Sequence, residues 1–405
     1  MKKNSPNDLR VPYALAVHDD HETKRVLAVL NERRTNTGVE TYEFEERSTK
    51  YFGKRFATMV NSGSSANLLA FELLNLPEGS EVITPLLTFS TTVSPILKKG
   101  LIPVFVDVEP GTYVINVNQV ESMITKKTRA IMIPLLLGNV PDLARLRKLT
   151  KKYKLFFVED SCDTYGAKFQ GKPTGTYTDI TTTSFFGSHI ITAAGNGGMI
   201  LVNNPEWYTR AKVLRGWGRN SSVFQESEDI LKRFKVKLGK IPYDAKFVFS
   251  EIGYNFLAPE ITAAFANAQL DKLPKFRKTR SHNFSRLLHF FSKYTNFFIL
   301  PKQLKDVETQ WLAFPLTITK GSPFSRLDIV TYLEGNNIQT RPVFTGNILK
   351  HPGFKNIPYR ISANKCPVTN EIFERGLIVG CHHGMRDQHL EKLERTFTSF
   401  LKKYQ

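Results

Sequence analysis

Three short stretches hold residue types that could do chemistry. Asn61-Ser62-Gly63-Ser64-Ser65-Ala66-Asn67 sets hydroxyls and a glycine directly ahead of an apolar run. At a helix start, unpaired N–H groups and the positive end of the dipole would make this stretch a phosphate cradle. An ordinary Ser N-cap would account for the same residues equally well. Glu159-Asp160 closes the apolar run Lys154 to Asp160. A carboxylate at the end of a buried strand is costly unless it has a partner, which favours a ligand-binding role over a structural one. Ser184-Phe185-Phe186-Gly187-Ser188-His189 is followed by Gly195-Asn196-Gly197-Gly198. Taken alone, the glycines signal a turn and the histidine a structural side chain.

These residues need a scaffold, and from about residue 60 the chain alternates β-rich and helical segments. Glu81–Leu87, Leu101–Val108, Arg129–Leu137, Lys154–Asp160, Asp179–Phe186 and Gly198–Asn203 are expected strands. Ser64–Leu74, Pro141–Tyr153 (with the proline in its first turn) and Pro205–Leu214 are expected helices. This alternation predicts an α/β fold with a mostly parallel sheet covered on both faces. Residues 218 to 240 lose periodicity and read as a long loop or lid. The sheet domain is expected to close near residue 270, giving 1–270 for an N-terminal segment plus large domain. A smaller α+β domain, 271–405, is expected to follow a basic linker around Lys275 to Arg280. It would comprise a strand at Ala313–Ile318, a helix at Ser325–Gly335 and a strand at Ile338–Phe344.

Composition narrows the function classes. The 405 residues carry 56 Lys and Arg against 37 Asp and Glu, a formal charge of +19. A lysine-rich solvated surface accounts for this excess, and an anionic substrate would also suit it. No zinc-finger spacing, RNA-recognition signature or basic heptad accompanies it, so a nucleic-acid partner is not expected. The apolar patch Val11 to Val17 is too short for a signal peptide. Ala130 to Val140, broken by Pro134, falls below the roughly 20 residues of a membrane span. Three cysteines are too few and too odd for a disulfide framework, so a reducing, cytoplasmic setting is expected.

Taken in order, the motifs resemble the sugar-aminotransferase family of fold-type I pyridoxal-phosphate (PLP) enzymes, which act on nucleotide-linked keto sugars. The resemblance implies an aspartate-aminotransferase-like fold over nearly the whole chain. It implies phosphate binding by Ser64 and Ser65, ring stacking by Phe89, an ion pair from Asp160 to the pyridine nitrogen, and a contact from Ser184. Asp163 stands where the family places a side chain near the ring oxygen, usually Gln or His. Gly253 to Pro274 resembles the family segment whose Asn, here Asn255, reaches the phosphate of a neighbouring subunit. A homodimer with shared sites is implied.

At the fifth position after Ser184 the family has the lysine that links covalently to the cofactor; here it is His189. No lysine occurs from Pro173 to Arg210, and an imidazole cannot form that link. A branch of the family carries His here: the 3-dehydratases that remove the C3 hydroxyl of 4-keto-6-deoxy nucleotide sugars for 3,6-dideoxyhexose and lipopolysaccharide O-antigen biosynthesis. The likeness extends to LGN-PDL (Leu137 to Leu143), EDSCD (Glu159 to Asp163), SHIIT (Ser188 to Thr192), YDAKFVFSEIGYN (Tyr243 to Asn255) and RPVFTGN (Arg341 to Asn347). Some members of this branch bind a [2Fe–2S] cluster. Here Cys162 has no companions after Arg215-Gly216-Trp217-Gly218-Arg219 until Cys366, so four thiolates cannot be assembled. The chain is therefore similar to the self-contained members, which use glutamate to make pyridoxamine phosphate (PMP); that likeness favours GDP-4-keto-6-deoxymannose as substrate, and the sequence leaves CDP and dTDP sugars open.

On this resemblance, His189 would be the base that takes a proton from the cofactor carbon and assists departure of the C3 hydroxyl. Arg215, Arg219, Lys246 and Arg341 are candidates for the substrate diphosphate and the glutamate carboxylates, and each could equally be a surface pair. Cys381-His382-His383 has no second ligand cluster, and no metal is expected. Two rivals remain: an iron–sulfur-dependent CDP-sugar 3-dehydratase, and a catalytically inactive homologue that binds a nucleotide sugar.

Overall fold

The computed structural model describes residues 9–224 and 229–405. Eight strands form the large sheet: β1 (Phe56–Val60), β2 (Glu81–Pro85), β3 (Ile102–Val106), β4 (Thr128–Pro134), β5 (Phe156–Asp160), β6 (Ile180–Ser184), β7 (Gly198–Val202) and, from the C-terminal part of the chain, β11 (Arg360–Ile361). Their order is β1-β7-β6-β5-β4-β2-β3-β11, and all but β7 run parallel. Alternating side chains feed two cores. Ile83, Ile131, Ile133 and Phe157 pack on one face, and Val82, Ala130, Met132 and Val158 on the other. Burial on both faces explains why these strands read as continuous apolar runs.

Helices cover the sheet. Those used below are α1 (Asp20–Asn31), α2 (Val39–Phe52), α3 (Gly63–Leu74), α4 (Ser90–Lys98), α5 (Leu143–Tyr153), α6 (Pro205–Arg215), α7 (Glu260–Asp271) and α8 (Leu273–Phe291). Asp142 caps α5 by accepting from the N–H of Arg145, so Pro141 lies ahead of the cap, outside the first turn. Glu260 on α7 accepts from the backbone N–H groups of Gly38 (2.8 Å) and Thr41 (3.3 Å) at the start of α2. This is the position at which a carboxylate suits the helix dipole.

A second sheet holds β8 (Phe298–Ile299), β9 (Phe314–Ile318), β10 (Thr340–Arg341) and β12 (Gly376–Val379) in the order β8-β9-β12-β10, all antiparallel. Phe291, Phe298, Phe314 and Phe397 gather in its core. Three expectations change here. Lys275 to Arg280 is no linker but the interior of the 19-residue α8, and Arg280 is fully buried. The strand expected over Ile338–Phe344 shortens to Thr340–Arg341. The segment expected as a bare loop, 218 to 240, contains short helices at Asn220–Val223 and Ile230–Arg233. It also holds Val236–Leu238, which pairs with Ile241–Tyr243 as a hairpin. Residues 225–228 of that segment lie outside the described residues.

The N-terminal arm lies on the small sheet. Val11 bridges Ile338, its N–H donates to Asn337, and its carbonyl accepts from Gln339. The Pro12 carbonyl is hydrogen-bonded to His382 Nε2 at 3.1 Å.

Candidate active site

The parallel strands β1, β4, β5 and β6 end on the same edge of the sheet, where Pro134 pairs with Asp160 and Asp160 with Thr182. A cavity of about 630 Å³ opens at this edge, the place where parallel sheets take ligands. Ser64, Phe89, Asp160, Asp163, Ser184, His189 and Arg341 all line it.

One wall is the start of α3. Ser62 caps the helix, accepting from the Ser65 N–H at 3.1 Å. Ser65 itself turns inward, donating to Asn61 Oδ1 at 2.7 Å, and does not line the cavity. Its expected place is taken by Ser62, Gly63 and Ser64. A Cβ on Gly63 would lie 2.5 Å from the Ser184 Cβ and 2.8 Å from Cys162 Sγ, so only glycine lets the helix start approach this strand end.

Asp160 forms the floor. Its Oδ2 accepts from Asn67 Nδ2 and Thr92 Oγ1, both at 2.9 Å, and its Oδ1 accepts from the Cys162 N–H at 3.2 Å. Three donors on one buried carboxylate satisfy its oxygens and fix its direction. Phe89, half exposed at the start of α4, presents its ring to the cavity with Phe344 edge-on at 6.2 Å.

His189 faces the same space. Its Nδ1 lies 3.2 Å from the Ser184 carbonyl oxygen. That oxygen can only accept, so Nδ1 carries the hydrogen and Nε2 presents a lone pair. Burial lowers its pKa to about 4, keeping the ring neutral. Asp163 Oδ1 stands 3.9 Å from Nε2, and Asp163 Oδ2 accepts from the Leu137 N–H at 2.8 Å. Burial, aided by the neighbouring charge of Asp160 and opposed by the Leu137 hydrogen bond, raises the Asp163 carboxyl to about 7.

Other candidates are elsewhere. Arg215 is buried on α6, paired with Glu45 Oε1 at 2.9 Å and donating to the Met59 carbonyl. Its charge is neutralised inside the fold, away from the cavity, which removes it from the substrate candidates. Arg219 lies over the Trp217 ring at 4.3 Å, with Phe247 and Phe249 each at 5.8 Å. Lys246 follows Asp244, whose Oδ1 accepts its backbone N–H. Neither of these two lines the cavity, and Asn255 is exposed outside it.

Tyr13 was not among the candidates. It lines the cavity from the N-terminal arm, with the Arg341 guanidinium 5.5 Å from its ring centroid. No local motif marks it, because an arm that packs back across the molecule leaves no periodicity. Cys381-His382-His383 is a structural unit: His383 Nδ1 accepts from Arg280 Nε at 3.1 Å and stacks on Phe276, while Arg280 donates to the carbonyls of Trp311 and Leu312. Among the described residues no group of three His, Cys, Asp or Glu is placed to hold a metal. Cys162 is at the cavity, whereas Cys366 contacts Ser362 and Cys381 the Trp311 carbonyl.

The pattern of a known family matches residues 17–397, and its description is the DegT/DnrJ/EryC1/StrS aminotransferase family. The chain belongs to that family. Among its relatives, the dTDP-4-dehydro-2,6-dideoxy-D-glucose 3-dehydratase of Saccharopolyspora spinosa is 37% identical over 96% of this chain and 86% of its own. The GDP-4-keto-6-deoxy-D-mannose 3-dehydratase of Yersinia pseudotuberculosis is 33% identical over 92% and 94%. The solved structure of the E. coli GDP-4-keto-6-deoxy-D-mannose 3-dehydratase with bound hydrated PLP superposes with a TM-score of 0.86 at 30% identity, over 96% of this chain and all of that one. The fold is therefore PLP fold type I, and the cofactor of this family is pyridoxal phosphate. Among the described residues, no helix is long and apolar enough to cross a membrane.

Proposed function

We propose that this chain is a PLP-dependent 3-dehydratase that removes the C3 hydroxyl of a 4-keto-6-deoxy nucleotide sugar, with glutamate as the amino donor. The observation that carries this reading is that no described lysine lines the cavity, while His189, its tautomer set by Ser184, presents Nε2 into it. Solved relatives at 29% identity are GDP-4-keto-6-deoxymannose 3-dehydratases, one with a trapped PLP-glutamate geminal diamine and one with bound GDP-perosamine.

The residues fit the cofactor. The start of α3, with Ser64, would hold its phosphate. Asp160, fixed by three donors, would pair with the pyridine nitrogen, and Phe89 would cover the ring. When bound, the cofactor supplies an electron sink for the pair left by a breaking C–H bond. His189 Nε2 takes that proton, and its neutral state at pH 7 makes it competent to do so. Phe89, Phe344 and Tyr13 line the cavity with aromatic rings around that atom. Arg341 is the cation at the cavity suited to a substrate carboxylate or phosphate. Exposed Asn255 would complete the phosphate site of a second copy in a homodimer.

GDP-4-keto-6-deoxymannose is the substrate we favour, and dTDP-4-keto-2,6-dideoxyglucose is the competing arm of the test. Protein loaded with pyridoxal phosphate is mixed with glutamate and each sugar; 2-oxoglutarate and a 3-deoxy product are expected. No 2-oxoglutarate would overturn the reading and favour an inactive binding protein. Stoichiometric iron and sulfide in anaerobically purified protein would favour the cluster-dependent rival.

A further inference from the structure

We propose that Asp163 is the acid of the reaction, giving its proton to the departing C3 hydroxyl while His189 keeps the proton it takes from carbon. This inference rests on the dehydratase reading above and divides between two side chains a task that one histidine could otherwise perform twice.

The geometry is a cradle for one oxygen atom. Nε2 of His189 and Oδ1 of Asp163 are 3.9 Å apart on the cavity wall. They are too far apart to bond to each other, yet an oxygen between them can lie about 2.8 Å from both. The two oxygens of Asp163 are not equivalent. Oδ2 receives the Leu137 N–H, so a proton on this carboxyl sits on Oδ1, the atom facing the cradle. Leu137 adopts φ +59°, a left-handed conformation unusual for a branched residue. That turn aims its N–H at the carboxylate, and its carbonyl is held by the Leu312 N–H at 2.8 Å.

The groups facing Asp163 favour its neutral form. Asp160 adds a negative charge, Cys162 and Tyr13 are half-buried and un-ionised, and His189 is neutral. Arg341 lines the cavity beside Tyr13, and Arg280 is engaged with Trp311, Leu312 and His383. A histidine driven to about 4 is unprotonated at neutral pH and a carboxyl near 7 still carries its proton in part, which suits two roles on two groups.

The step balances. The C–H bond breaks and an N–H bond forms at His189 Nε2. The freed electron pair, passed through the conjugated system, breaks the C3–O bond. That oxygen takes the Asp163 proton and leaves as water. His189 then returns its proton to the Asp163 carboxylate through the water oxygen held between them, before that water leaves the cradle, restoring both groups with no outside oxidant or reductant.

Asp163→Asn keeps size and neutrality but has no proton to give. The glutamate half-reaction, read as 2-oxoglutarate and the absorbance change of bound cofactor, is expected to fall by at least about ten-fold less than dehydration does. Dehydration is expected to fall by about 10²-fold or more. A readout independent of turnover is the infrared C=O band of a protonated carboxyl in cofactor-free protein. In the difference between the parent and Asp163→Asn, which cancels the band of buried Glu159, it is expected at about pH 6 and fading above about pH 8. Equal loss of both half-reactions, no loss of dehydration, or no such band would each overturn the assignment. A parent that forms no 2-oxoglutarate yet shows the band would overturn the dehydratase reading and this role with it, leaving only a neutral buried acid.

Discussion

His189 Nδ1 is hydrogen-bonded to the carbonyl oxygen of Ser184 at 3.2 Å, and this contact decides which nitrogen of the ring faces the cavity. A lysine five residues after Ser184 would have needed no such orientation. An imidazole does, because only one of its nitrogens can carry the lone pair.

Replacing His189 with Asn should leave fold and cofactor retention intact and lower both half-reactions by on the order of 10²- to 10⁴-fold. Rates of 2-oxoglutarate release and of C3 deoxygenation check this, and retention of more than half the parent rate would remove His189 as the base. His189→Lys should instead capture the cofactor covalently, as a mass increase after borohydride reduction, and should not dehydrate.

Asp160→Ala removes the acceptor shared by Asn67 and Thr92, which are buried or nearly so. Each orphaned donor costs about 1–3 kcal/mol, so Tm should fall even without cofactor. Cofactor should also be lost on desalting. Unchanged melting with lost cofactor would mean that the network is held by something other than Asp160.

Opposed pH slopes are expected from His189 and Asp163. The folded His189 value, about 4, lies below the usual 6.5, so the unfolded chain binds a proton that the fold refuses. Its contribution to stability is lost as pH falls from about 6.5 toward about 4. The folded Asp163 value, about 7, lies above the usual 3.8, so the fold keeps a proton that the unfolded chain has released. Its contribution is lost as pH rises from about 4 through about 7. Relative to the parent, Asp163→Asn should gain stability as pH rises across this window, and His189→Asn should lose it. Melting curves between about pH 4.5 and 7.5 decide the signs.

The N-terminal arm is held against Gly380, where a Cβ would come within 2.4 Å of the Pro12 carbonyl oxygen and 3.1 Å of that of Tyr13. Gly380→Ala should therefore lift the arm, costing about 1–3 kcal/mol, and withdraw Tyr13 from the cavity. Lower Tm together with faster proteolysis ahead of Asp20 would show this; an unchanged arm would mean that the small sheet yields instead.

Residue order alone was enough to place Asp160 at a strand end and Ser184 near one, because a strand buried on both faces is a continuous apolar run whose last polar residues mark the edge of the sheet. Substitution of His for Lys was likewise readable without coordinates, since chemistry at that position depends on residue type. Tertiary structure decided what depends on distant partners. Ser65 went to the cap of α3 because Asn61 was there to receive it, and Arg215 went to Glu45, 170 residues away. The basic run Lys275 to Arg280 became helix because Arg280 found buried carbonyls at Trp311 and Leu312. Tyr13 and the 3.9 Å spacing between His189 and Asp163 are products of chain crossing and turn geometry, which local sequence does not encode.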